Sequence, residues 1–197
     1  MSGRAELMKR LSEATASGVG NNFRDGKYRL IVKGAGLPKG YRGSRFQTTF
    51  VVMNAIKVPV TSLQTKEQLD IEPNAVGEEV DWLCMLDGKD SPGPGNMRRF
   101  ILDLVGKKDM SNKDYFETIE EVCDVDSDGV PLPEPKEMVK GLMIDMSTVR
   151  IVTKTNKVEI VVCKWSHVET SEEDQRANIE WLNALGAQKA AAAAAEA

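Results

Sequence analysis

Residues 27–58 read KYRLIVKGAGLPKGYRGSRFQTTFVVMNAIKV, and the fold turns on how this stretch divides. Two β-like runs, 27–33 and 45–58, flank a segment with glycine at positions 34, 36, 40 and 43. The second run is rich in β-branched residues and phenylalanine, which suit a pleated, half-buried strand. The runs are either two strands or the halves of one long, bent strand broken by a glycine-rich loop. That choice sets the number of strands in the chain at six or five.

Working outward, residues 78–86 (EEVDWLCML) alternate Val80, Trp82, Cys84 and Leu86, which predicts a strand with one buried face. Residues 60–74 are polar and read as a loop. The turn-forming stretch GKDSPGPGN at 88–96 predicts an antiparallel hairpin whose second arm is residues 97–105. A helix is expected over 112–122, with Ser111 as its cap, Asp114 in its first turn and Tyr115, Ile119 and Val122 as its apolar stripe. Residues 142–153 and 157–165, joined by Lys154-Thr155-Asn156, form a second hairpin. Trp82 and Trp165 share parity with apolar neighbours and are assigned to the core.

Both ends carry helical signals. Leu7, Met8 and Leu11 cluster at helical spacing within residues 4–16. Ser171 and Asp174 form a capping-box variant ahead of Ile179, Leu182 and Leu185. The expected organisation is an N-terminal helix and linker (1–22), a β domain (23–168), a C-terminal helix (169–186) and an alanine-rich tail (187–197). The fold class is mainly β (α+β), a five-to-six-stranded antiparallel barrel with an inserted helix and short helices at both termini.

The chain has 197 residues, 41% of them hydrophobic and 28% charged, as in ordinary soluble domains. No apolar run approaches the ~20 residues that span a bilayer. The first residues lack the apolar core of a signal peptide, so a cytoplasmic location is expected. Cys84, Cys123 and Cys163 are odd in number and far apart, which suits reduced thiols better than a disulfide framework or a zinc site.

Charge is unevenly spread. Residues 24–45 hold seven basic residues and one acid, Asp25, a net +6 in a chain of net charge −4. The basic residues are Arg24, Lys27, Arg29, Lys33, Lys39, Arg42 and Arg45, and Phe23, Tyr28, Tyr41 and Phe46 stand among them. Cations, ring faces and mobile backbone are what holding a flexible polyanion requires. Strand parity puts Lys27, Arg29 and Lys33 on one face and turns Tyr28 toward the core. Tyr41 and Phe46 are the candidates for base stacking. Arg98 and Arg99 near the 88–96 turn, with Lys154 and Lys157 at the second hairpin turn, extend the set. The bland alternative is a solvated face that offsets an acidic body.

Other motifs fail on chemistry. Asp124, Asp126 and Asp128 with Gly129 copy the start of an EF-hand loop, but Pro135 stands where the bidentate glutamate belongs. The glycines of 34–40 lack the Gly-Lys-Ser/Thr and the following helix of a phosphate loop. His167 is the single histidine and has no nucleophile or acid at a meaningful spacing. No cofactor or metal is expected, and binding is favoured over catalysis.

The order GKYRLIV, RFQTTFVV, VGEEVDWLCML, RRFILDLVG, a short helix and KVEIVVCKWSHV resembles the oligonucleotide-binding (OB) fold single-stranded-DNA-binding proteins of tailed bacteriophages. The resemblance covers residues 23–168. It implies an OB-like barrel and a single-stranded DNA partner bound without strong sequence preference. It also implies a role in phage DNA replication or recombination, in the host cytoplasm if viral, with self-association and replication or recombination proteins as possible partners. The chain departs from bacterial-type members, which commonly end in an acidic tip. Here Glu169, Glu172, Glu173 and Asp174 precede the terminal helix, and the tip is alanine. A virion structural or assembly protein with a β-barrel core is the alternative from another class.

Overall fold

A computed structural model describes residues 23–37, 39–40, 43–86, 93–126, 130–154 and 157–195. The expected N-terminal helix lies outside the described residues. Residues 27–58 resolve as two strands, β1 (Lys27–Gly36) and β3 (Gly43–Ile56), with the two-residue β2 (Lys39–Gly40) prolonging their hairpin. They pair with each other, Lys27 opposite Ile56 and Gly36 opposite Gln47, so they are not halves of one strand. A small ladder, β4 (Val60–Thr61) with β5 (Gln68–Leu69), lies within the expected 60–74 loop. Then come β6 (Glu79–Met85), α1 (Gly93–Leu104), α2 (Asn112–Cys123), β7 (Met143–Val152), β8 (Glu159–His167) and α3 (Glu172–Ala195).

The expected strand at 97–105 is a helix. Met97, Phe100, Ile101 and Leu104 recur at the helical i, i+3, i+4, i+7 spacing, and all four are buried. Pro94 sits in the first turn, where a missing N–H removes no helical bond. Five long strands therefore remain, because one expected strand is helical and not because two fuse.

The long strands form one antiparallel sheet in the order β6-β3-β1-β7-β8. It is not closed into a barrel, since β6 and β8 do not pair. The fold is α+β with a mainly antiparallel sheet. In a flat sheet the outer strands would stand about 19 Å apart, four strand spacings. Yet the rings of Trp82 on β6 and Trp165 on β8 meet at 5.2 Å. The sheet is therefore strongly curled, and α1 packs against both β6 and β8 from inside.

The inner face buries Tyr28, Leu30, Val32, Phe46, Phe50 and Val52 against α1 and α2. Phe100 meets Phe50, Trp82 and Trp165 with ring centroids 5.0 to 6.0 Å apart, and such pairs add to the burial of their area. Trp165 is buried, and Trp82 is half-buried against the same cluster, as their parity indicates.

The outer face carries a second, smaller apolar cluster. Ile31 and Val51 meet Leu182 of α3, with Met143, Trp181 and Leu185 around them. The start of α3 is set by its capping box: Ser171 Oγ accepts from the Asp174 N–H at 3.1 Å, and the Asp174 carboxylate accepts from Ser171 Oγ at 2.6 Å. Two amide side chains then hold the helix to the preceding turn. Gln175 Nε2 donates to the Met138 and Lys140 carbonyls at 3.0 and 2.8 Å, and Asn178 Nδ2 donates to Gly141 at 2.8 Å. The helix continues through the alanine-rich stretch to Ala195.

Candidate functional site

The outer face gathers most of the expected cations, because alternation sends Tyr28, Leu30 and Val32 inward and Lys27 and Arg29 outward. It does not leave them all free. Arg29 Nε and Nη2 bind the two carboxylate oxygens of Asp145 on β7, at 2.8 and 2.9 Å. That hydrogen bonding raises the Arg29 pKa above its ordinary value. Lys33 Nζ lies 2.7 Å from Glu79 Oε2 on β6, and hydrogen bonding from Lys33 lowers the Glu79 pKa. The expected stripe of Lys27, Arg29 and Lys33 is thus compensated at two of its three positions. Acids on neighbouring strands stand at the right height to meet them.

The cations that make no ion pair among the described residues lie toward the two ends of this face. At the end where β1 starts, Lys27 stands opposite Ser147, which stands opposite Lys164. Lys27 and Lys164 are therefore about 10 Å apart on one surface, two strand spacings. A groove of about 420 Å³ opens beside Lys27, between Arg29, Asn54, Ile56 and Ser147. Arg24 is exposed just ahead of β1, where its backbone N–H donates to Asn74 Oδ1 at 2.9 Å. β7 and β8 run past Ser147 to a turn carrying the exposed Lys154 and Lys157. Sequence reading missed Lys164, although its place among the alternating residues of β8 was the available signal.

At the other end, where β1 and β3 join, Arg45 stands opposite Met85. Arg45 is half-buried, its Nε is shielded from solvent without a hydrogen-bond partner, and it makes no ion pair among the described residues. Gln47 lies between Gly36 and Leu83, and Thr49 between Gly34 and Asp81. A side chain at Gly34 or Gly36 would meet nothing within 4 Å, so this floor is low and open. Leu83 and Met85 are exposed beside it. Lys39 is placed by its backbone in β2, on the hairpin that continues this face. Tyr41 and Arg42 lie outside the described residues.

Three expected site residues are placed elsewhere. Phe46 has no exposed surface and packs on Phe100 and Trp82, so its ring is unavailable for stacking on a base. Its even parity on β3, shared with Phe50, turns it inward. Arg98 and Arg99 belong to α1, on the inner side of the sheet. Arg98 donates to the Met110 carbonyl and Asn112 Oδ1 at 2.6 and 3.0 Å and stacks over Tyr115, while Arg99 pairs with Asp103 one turn on. Both brace the helices.

The inner side also holds a groove of about 570 Å³ lined by Leu37, Met97, Tyr115, Phe116 and Ile119. Arg98, Glu120 and Asp126 border it. Two acids of the EF-hand-like loop next to it, Asp124 and Asp126, accept from backbone. Asp124 accepts from the Lys136 and Glu137 N–H groups at 2.6 and 3.1 Å, and Asp126 from Val130 at 2.9 Å. Among the described residues no group of three or more His, Cys, Asp or Glu side chains is placed to hold a metal ion.

Burial pushes the Cys123 and Cys163 thiols up to about 12, away from the thiolate form a nucleophile needs. His167 Nδ1 lies 3.2 Å from the Asp103 carbonyl oxygen. Among the described residues no helix is long and apolar enough to cross a membrane. Compared with known proteins, the chain matches no family model, and no curated protein sequence is significantly similar to it.

Proposed function

We propose that this protein binds single-stranded DNA, without strong sequence preference, along the outer face of its curled sheet. The observation that carries this reading is the connectivity. The first long strand pairs with the second and fourth, the second with the third, and the fourth with the fifth. A helix follows the third strand and packs between the unpaired third and fifth. That is the order of an OB barrel left open at one seam.

In such barrels the face of the second and third strands binds oligonucleotides, flanked by the loop between strands one and two and the loop between strands four and five. Here those strands are β3 and β6, and cations without an ion pair among the described residues stand toward the corresponding ends: Arg45 at one, Lys27, Lys154 and Lys157 at the other, with the backbone of Lys39 on the hairpin at the first end. Phosphates fall to these cations and bases to the open floor around Gln47, Leu83 and Met85. The role is binding in phage-type DNA replication or recombination, with no catalysis.

Fluorescence anisotropy of labelled oligo-dT, titrated at about 50 and about 200 mM salt, tests this. Micromolar or tighter binding that weakens steeply with salt is expected, because phosphate contacts release counterions. No binding at the lower salt concentration overturns the reading.

A virion structural or assembly role draws on a different observation. Val149, Ile151, Ile160 and Val162 form a block of β-branched residues on the outer face of the β7–β8 hairpin, with Ile151 and Ile160 exposed. Stable oligomers without affinity for oligo-dT would favour that role.

A further inference from the structure

Glu79 is held by two ammonium groups from two different elements. Lys33 Nζ lies 2.7 Å from its Oε2, and Lys189 Nζ of α3 lies 3.3 Å from its Oε1. Lys189 is the only charged residue between positions 181 and 195. The first half of α3 is fixed by the Gln175 and Asn178 hydrogen bonds and by Leu182. Beyond Leu185 the side chains are exposed, and the ion pair with Glu79 ties this half to the sheet. Gly186 at the junction weakens the helix by about 1 kcal/mol relative to alanine.

A groove of about 480 Å³ lies beside the pair, lined by Lys33, Gly34, Thr49, Glu79 and Asp81. Asp81 accepts from Thr49 Oγ1 at 2.6 Å. With α3 in place, Lys33 and Lys189 balance Glu79 and Asp81, and the groove carries no net charge. With the second half of α3 detached, Lys33 and Glu79 cancel, and Asp81 leaves the groove negative. Docking of α3 therefore removes the net negative charge that a polyanion would otherwise meet.

We propose that Lys33 and Lys189 form a two-lysine phosphate seat in which Glu79 holds the ammonium groups in position, and that the bound strand clamps the second half of α3 onto the sheet. This rests on the single-stranded DNA reading and adds α3 to its binding surface. By linkage, whatever favours the docked helix favours the strand, and the strand favours the docked helix to the same extent. An ammonium that exchanges a carboxylate for a phosphate keeps its charge-assisted hydrogen bond.

The test uses the full chain with oligo-dT. Lys189→Ala is expected to lower the slope of log affinity against log salt by about 0.7 and the affinity at about 0.1 M salt roughly fivefold, the share of one phosphate on a single strand. Lys113→Ala, on α2, is the control and leaves both unchanged. Hydrogen exchange of residues 186–195 should slow in the complex. If wild-type chain binds but neither the slope in Lys189→Ala nor exchange over 186–195 changes, the seat is overturned and the outer-face reading stands. If wild-type chain does not bind at all, both fall together.

Discussion

Arg150 joins Asp25 to Glu159: its Nη2 lies 2.7 Å from Asp25 Oδ2 and its Nη1 lies 2.8 Å from Glu159 Oε1. Asp25, the one acid within the basic run, is 5% exposed, so Arg150 compensates a carboxylate that water reaches poorly. Removing one partner of such a pair leaves an uncompensated charge at high cost. Arg150→Met is expected to destabilise the fold by about 3 kcal/mol in urea unfolding. Adding Asp25→Asn to the same chain should recover part of the loss, and an unchanged midpoint in the single variant would remove this bridge from the account of stability.

Glu159 gives the fold a pH dependence. Its carboxylate accepts from Arg150, from Ser62 Oγ at 2.9 Å and from the Leu63 and Gln64 N–H groups at 3.1 and 3.3 Å. Hydrogen bonding from Arg150 foremost, then from these donors, holds its pKa down at about 2 against an ordinary 4.5. A depressed folded-state pKa means that the stabilisation is fully present above about pH 4.5 and fades as pH falls toward about 2. The Leu63 and Gln64 amide resonances should titrate with a midpoint near the lower value. Glu159→Gln should abolish that transition, and a midpoint at the ordinary carboxylate value would count against the assigned contacts.

What the sequence made legible was local. The Ser171–Asp174 capping box, the Ser111 cap that accepts from Asp114, and the end of the second hairpin, where Val152 stands opposite Glu159, each involve residues within a few positions of one another. The structure places each close to where local chemistry puts it. Helix α1 was misread because RRFILDLV is as apolar and branched as a strand, and its Met97-Phe100-Ile101-Leu104 spacing decides the matter only once a curled sheet offers that stripe a surface. The neutralised cations were out of reach for a different reason. Arg29 meets Asp145 across 116 positions and Lys33 meets Glu79 across 46, so which charges remain free depends on strand register.

Thr48 has no exposed surface, and its Oγ1 has no hydrogen-bond partner among the described residues. Valine has nearly the same shape without the hydroxyl. An unsatisfied buried hydroxyl costs about 1–3 kcal/mol, so Thr48→Val is expected to stabilise the protein by about 1 kcal/mol. A higher urea midpoint with an unchanged denaturant slope is the expected reading. A lower midpoint would mean that the hydroxyl finds a partner in solution.

Gly141 adopts φ +84°, and a Cβ there would lie 2.6 Å from the Gln175 carbonyl oxygen. Left-handed backbone and a backbone neighbour that cannot yield both oppose a side chain. Gly141→Ala is expected to cost about 2 kcal/mol or more. The loss should concentrate in α3, read as faster hydrogen exchange over residues 172–185 before β1 or β3 is affected. Uniformly faster exchange across the sheet would instead place the turn within the global folding unit.

Arg45 and Arg99 separate a binding cation from a bracing one. Arg45 stands on the outer face without an ion pair among the described residues, next to the open floor of Gly34 and Gly36. Arg99 lies on α1 and is paired with Asp103. Each phosphate of a single strand that goes unneutralised lowers the slope of log affinity against log salt by about 0.7. Arg45→Gln should show that decrease and bind oligo-dT about fivefold more weakly at roughly 0.1 M salt. Arg99→Gln should keep the wild-type slope, with any change confined to thermal stability. Equal decreases in both variants would mean that the strand also touches the helical side, and the proposed path along the outer face would have to be abandoned.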